Sequence, residues 1–326
     1  MTLYPLRFEP IYQYRLWGGR SLSALLSAPL PGDEPIGEAW ILSDRDDHQS
    51  KVANGALEGK TIGELMAAFH GEMMGKQARF RRFPLLLKFL DAHKMLSVQV
   101  HPSDAHPELL PPGETGKTEA WVVIEAEKEG RIYAGLQPGT TAGNLRNALE
   151  NNTVADRLVS IVPRPGDAVF IPAGTVHSLG NGVVVFEVQQ NSDVTFRLYD
   201  WGHIDAKTGQ PRPLQVDQAL ACVNFDGGVS GLVAPHLETL MPVKRERLFD
   251  CEAFQLWRFH GDTPFPVGAA AEPRVLVCIA GSGQVEHANI PYPVGKGDVW
   301  LLPAQAGVCS FRPSPEVTLL EIAIPG

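Results

Sequence analysis

The four cysteines of this 326-residue chain, Cys222, Cys251, Cys278 and Cys309, stand roughly thirty residues apart and form no Cys-x-x-Cys pair. That spacing excludes a thiolate zinc ribbon and a dense disulfide framework, and leaves reduced thiols as the expectation. Positive charge is also short. Lys and Arg number 28 against 37 Asp and Glu, a net charge of -9, which speaks against a nucleic-acid partner. A local cluster of cations for a small anionic ligand is still compatible with that sign. No apolar run is long enough to cross a bilayer. The opening MTLYPLRFEP lacks the basic start and apolar stretch of a secretory signal. The expectation is a cytoplasmic protein with no membrane partner.

Long helical periodicity is scarce as well. One clear case runs from Thr61 to Lys76, where Ile62, Leu65, Met66 and Phe69 recur at i, i+3, i+4 and i+7. Thr61 and Glu64 make a capping-box pattern at its start. Shorter helices are expected over 143–151 and 216–221. What the chain has in quantity is glycine, 32, and proline, 27, the composition of many short strands joined by tight turns. Strand patterns cover 83–90, 120–124, 168–171, 183–189, 275–280 and 317–324.

Two segments echo each other. Pro165-Gly166-Asp167 followed by AVFI and Pro172-Ala173 matches Lys296-Gly297-Asp298 followed by VWLL and Pro303-Ala304. Each reads as a Gly-Asp turn, an apolar strand and a Pro-Ala stop, so a repeated β-unit is expected. Five residues after the proline, the first copy has His177 and the second Val308. Only the first unit then carries a histidine there, and the second is expected to be structural. The Gly- and Pro-punctuated GGVSGLVAP near 230–245 marks the boundary, giving units 1–235 and 236–326.

Chemistry concentrates in three places. In LSVQVHP, strand alternation puts Ser97, Gln99 and His101 on one face, which must meet solvent or line a polar cavity. Glu119 stands at the entrance of the apolar AWVVI. His177 follows a strand and a turn. Together Gln99, His101, Glu119 and His177 offer an amide oxygen, two imidazoles and a carboxylate, a donor set suited to a catalytic divalent metal.

Four motifs in order, LSVQVHP, GKTEAW, PAGTVHSLG and QQNSDVTFRLYDW, resemble those of class I mannose-6-phosphate isomerases, in their shorter bacterial form. The similarity runs from YRLWGG at Tyr14 to Gly19 through the C-terminal repeat. It implies a mainly β fold of two cupin-like jelly-roll domains with a small helical insertion near 61–76. The first domain would be catalytic. It implies one Zn²⁺ per chain on Gln99, His101, Glu119 and His177, and a phosphosugar substrate in carbohydrate metabolism. Arg197 and Lys117 match catalytic residues of that family, Arg197 for phosphate binding or for transition-state charge. Lys88 and Ser97 match substrate contacts, and Trp17, in LWGG, either packs on the sugar or is a core tryptophan. Longer relatives carry a histidine immediately before the position of Lys117, where this chain has Gly116; Glu187, Asp200 and His203 are the alternative bases. Another metal-dependent cupin enzyme, an oxygenase or a different sugar isomerase, fits the ligand types alone, as does a non-catalytic sugar-binding cupin. A monomer or homodimer is expected.

Overall fold

The computed structural model of the chain describes residues 2–227 and 231–325. Of the boundary segment GGVSGLVAP, residues 228–230 lie outside the described residues. The molecule is mainly β, as expected, and its strand pairs are antiparallel.

Two sheets build the first unit. One has six strands in the order Ala168–Ile171, Glu119–Ala126, Val183–Gln190, Leu85–Ala92, Ile36–Leu42 and Ile11–Gly19. The other has five: Leu158–Ile161, Arg131–Leu136, His177–Gly180, Val98–Val100 and Phe196–Tyr199. The six-stranded sheet is covered on both faces, which explains why its strands read as apolar runs rather than alternations. Side chains of Leu85–Ala92 alternate between two cores. Leu85, Leu87 and Phe89 join a large cluster shared with Leu256, Val277 and Ile322 of the second unit. Leu90 and Ala92 turn inward to Trp17, Trp121 and Leu179. Lys88 has the parity of Leu90 and therefore points inward.

The second unit is a nine-stranded sheet dominated by the long pair Arg274–His287 and Cys309–Ala323. The strand Leu6–Arg7 also belongs to this sheet, Leu6 opposite Leu301 and Arg7 opposite Trp300.

The internal echo has the same backbone wiring in both places. Gly166 donates to Val123 O at 2.8 Å and Val123 to Asp167 O at 2.8 Å; Gly297 donates to Cys278 O at 2.8 Å and Cys278 to Asp298 O at 3.0 Å. Asp167 and Asp298 each cap their turn, accepting from Arg164 N and Gly295 N at 2.8 Å. Both glycines have φ near +89°, the left-handed region that favours glycine.

The helix expected over 61–76 is two short ones, Ile62–Ala68 and His70–Met74, interrupted at Phe69. The capping box at Thr61 and Glu64 is present. The interruption lets Leu65, Met66, Met73 and Met74 all enter the shared core. The other helices are Ala142–Glu150 and Val216–Cys222.

Candidate active site

Strand register assembles the site. In the five-stranded sheet, His177 lies opposite Gln99, and Gln99 opposite Arg197. In the facing six-stranded sheet, Glu187 lies between Lys88 and Trp121, and Lys88 opposite Trp40. Between them is a cavity of about 410 Å³ lined from one sheet by Ser97, Gln99 and Arg197 and from the other by Glu38, Lys88, Trp121 and Glu187. Ser97 and Gln99 line this cavity and His101 is buried, so the polar face of LSVQVHP points inward and not to solvent.

His101, Glu119 and His177 are fully buried, with ligand atoms all within 4.8 Å of one another. Glu119 Oε2 lies 3.4 Å from His101 Nε2, and Oε1 lies 3.4 Å from His177 Nε2. His101 Nδ1 donates to Val194 O and His177 Nδ1 to Thr175 O, both at 2.8 Å. Those carbonyls leave each Nε2 lone pair facing the carboxylate, the tautomer that metal ligation requires. Burial, then the Lys117 charge, pushes His101 down to about 3, and burial lowers His177. Both rings are therefore neutral near pH 7.

The fit to a cation is direct. Both Glu119 oxygens are buried, and Oε1 has no hydrogen-bond partner. Burial would raise this carboxyl, but Lys117 and the two imidazoles hold it well below the usual carboxylate range. The Lys117 ammonium sits 2.9 Å from Glu119 Oε2 and 3.0 Å from His101 Nε2, a positive group resting on two ligand atoms. The Gln99 amide presents Nε2 to His177 Nε2 at 3.2 Å and accepts from Ser97 Oγ at 3.1 Å. Half a turn about its last bond would present the oxygen to the same point.

Three guanidinium groups also line the cavity, those of Arg15, Arg197 and Arg212. Arg197 Nε donates to Ser97 Oγ at 3.2 Å, and among the described residues Arg197 has no carboxylate partner. Burial lowers its proton affinity, as do the charges of Arg212 and Arg15. Each neighbour has its own counter-ion: Arg15 pairs with Glu38 at 2.8 Å, and Arg212 grips Asp200 at 2.9 and 2.5 Å. Lys88 is buried between Glu38 at 3.6 Å and Glu187 at 3.5 Å, above the Trp40 ring. Trp17 is buried among Leu90, Ala92 and Trp121 and also borders the cavity.

Of the three alternative bases, Glu187 alone lines the cavity. Its Oε2 accepts from Trp121 Nε1 at 2.8 Å, while Oε1 has no hydrogen-bond partner. Burial, then the Glu119 charge, raises its pKa. Asp200 is committed to Arg212, with His203 3.6 Å from the same carboxylate. Arg15, Arg212 and Glu38 were not singled out in the sequence. Arg212 sits in the turn-rich GQPRPL, where no periodicity assigns a direction. The strand of Glu38 is buried along its whole length, so no polar face announces it.

A family model for the catalytic domain of type I phosphomannose isomerase matches residues 6–118. The mannose-6-phosphate isomerase ManA of Bacillus subtilis (strain 168) is 35% identical over 310 residues, 94% of this chain and 95% of that protein. A mannose-6-phosphate isomerase of Streptococcus mutans is 31% identical over 299 residues, 92% of each chain. A crystal structure of mannose 6-phosphate isomerase from Bacillus subtilis aligns with a TM-score of 0.90 at 30% identity, over 99% of this chain and 100% of that one.

Proposed function

Because the chain belongs to the type I mannose-6-phosphate isomerases, we propose that it interconverts mannose 6-phosphate and fructose 6-phosphate in a zinc-dependent proton transfer between neighbouring carbons. One observation carries the substrate and metal assignment. The cavity is lined by Gln99 and Lys117, which touch the buried His101-Glu119-His177 group behind them, and by Arg197, a guanidinium without a carboxylate among the described residues. A metal suits the buried group and a phosphate dianion the guanidinium.

In this reading Gln99, His101, Glu119 and His177 hold one Zn²⁺ per chain. Bound there, the ion would serve as a Lewis acid toward the sugar's carbonyl and hydroxyl oxygens. Lys117 must then yield its place on Glu119 and His101 and turn to the cavity, where its ammonium can protonate the ring oxygen as the sugar opens. Burial would lower this ammonium, but the Glu119 and Glu187 carboxylates outweigh that and raise it. Arg197 takes the phosphate, with Arg15 and Arg212 adding positive potential after partial neutralisation by Glu38 and Asp200. Ser97 and Lys88 meet sugar hydroxyls, and Trp17 gives an apolar wall.

Glu187 is the base in this assignment. Glu187 lines the cavity, its Oε1 accepts no hydrogen bond and lies 3.5 Å from the Lys88 ammonium, and its raised proton affinity suits a group that both takes and returns a proton. Gly116, where a side-chain base would stand, has no room for one: a Cβ there would lie 2.5 Å from the Asp104 backbone nitrogen. Residues 1–235 form the catalytic unit in this reading. The second copy of the repeat has the exposed Val308 where the first has the buried His177, which supports a non-catalytic role for 236–326.

The test is a coupled assay for fructose 6-phosphate formed from mannose 6-phosphate, before chelation, after it, and after zinc is restored. Loss and recovery of turnover are expected. Full activity in protein shown to be metal-free would refute the assignment.

A further inference from the structure

His101 and Glu119 are joined by residues 102–118, a stretch without strand; Glu119 is held by pairing with Ile171 and Gln189, whereas His101 lies just past the strand Val98–Val100 and needs another hold on its ring. The base of this loop is closed by Lys117 N–H donating to Pro102 O at 3.0 Å and by Gly116 N–H donating to Asp104 Oδ1 at 2.6 Å. Its far side is tied down at Glu114. Arg45 donates two hydrogen bonds to that carboxylate, at 2.5 and 3.1 Å, and a third to Asn191 O at 3.1 Å.

Arg45 thereby ties the Glu114 carboxylate to segment 191–194, whose Ser192 and Asp193 polar groups lie near it. Burial alone would raise this carboxyl; Arg45 first, then these two groups, outweigh it and lower it. One residue further on, Val194 O receives the Nδ1 proton of His101. Asp193 itself lies 4.0 Å from Lys88 Nζ. Glu114 does not line the catalytic cavity.

We propose that Glu114 is a positioning residue that locks segment 191–194 against the 102–118 loop, and so fixes the carbonyl that orients His101 for metal. The inference rests on the metal-site reading above. Outer groups that orient a ligating histidine typically contribute about 10–100-fold in metal affinity, and Glu114 acts one hydrogen bond further out.

The experiment is a competition titration of the metal-free full chain with Zn²⁺ and a chromophoric chelator, with no sugar present. Parent, Glu114→Gln and Glu114→Ala are compared, and the thermal midpoint of each metal-free protein is recorded. Glu114→Gln keeps an acceptor oxygen for Arg45. It is expected to lose less zinc affinity than Glu114→Ala, which should lose about tenfold. Unchanged zinc affinity in a folded Glu114→Ala protein overturns the proposal and leaves the Arg45 pair a stabilising contact only. If Glu114→Ala does not fold, Glu114→Gln decides: affinity equal to the parent's, with a lowered midpoint, overturns it equally. A parent that binds no zinc sinks the function reading instead, which separates the two failures.

Discussion

Arg197 shows what a residue contributes beyond its charge. Its Nε bond to Ser97 Oγ and its NH1 bond to Pro213 O, at 3.0 Å, aim the planar group into the cavity; a lysine could supply the charge but not that fork. Hydrogen bonds to charged groups contribute about 1.5–3 kcal/mol. Arg197→Lys should therefore raise KM for mannose 6-phosphate by about 10- to 100-fold, with unchanged thermal stability; a KM within twofold of the parent would remove Arg197 from phosphate binding. The residues that sequence reading reached here were those with strand parity or a motif, such as Ser97, Lys88 and Arg197. Arg15, Arg212 and Glu38 escaped because their roles arise from convergence of segments distant in the chain.

Glu321 gives a second prediction at this scale, far from the cavity. Burial pushes its pKa up to about 7, against the Arg274 charge and the Gly268 N–H, which lies 3.1 Å from Oε1. A carboxyl raised in the folded state binds its proton more tightly there than in the unfolded chain. Its stabilising contribution is therefore full below about pH 4.5 and is lost as pH rises toward 7. Glu321→Gln keeps the acceptor for Gly268 and cannot ionise. Across that window its stability relative to the parent should improve by roughly 3 kcal/mol. Urea unfolding of both proteins at pH 5 and pH 8 measures this, and parallel pH dependence would contradict it.

Elements were legible where a local rule is strong. The Gly-Asp turns at 166–167 and 297–298 could be paired by sequence because a left-handed glycine and a capping aspartate are both chemically specific. The capping box at Thr61 was legible for the same reason. The end of that helix was not: the 3.6-residue pattern continues past Phe69, and the interruption serves a tertiary demand. Gly75, just beyond, approaches so closely that a Cβ would lie 2.3 Å from Ala271 O of the second unit. Thr61→Ala removes one cap hydrogen bond and should cost about 1 kcal/mol of stability. Thermal denaturation should detect that loss while kcat and KM stay at parental values, since no residue of the helix lines the cavity; a change in kcat would show that the insertion is coupled to the site.

At the scale of the whole molecule the two units share structure that no division of the sequence could show. The boundary expected near 235 rests on turn composition alone, yet the strand Leu6–Arg7 pairs with Val299–Leu302. The largest core is built from both sides, Phe89 and Phe186 with Leu256, Val277 and Ile322. A two-residue strand has no sequence signature, and an interface buried on both sides looks like any other apolar run. A chain cut after residue 235 would expose the shared face of its six-stranded sheet and leave Leu6 without its partner. Large exposed apolar faces favour association over a unique fold. The expected outcome for residues 1–235 is a loss of cooperative thermal unfolding, with the apolar-surface dye response of a loosely packed state. The proposed metal ligands all lie within that fragment, so their register depends on a sheet backed by the second unit. Zinc should stabilise the full chain, by about 4 kcal/mol at a thousandfold excess over Kd, and leave the fragment unchanged. A sharp, zinc-responsive transition in the fragment would instead make the second unit dispensable to the site.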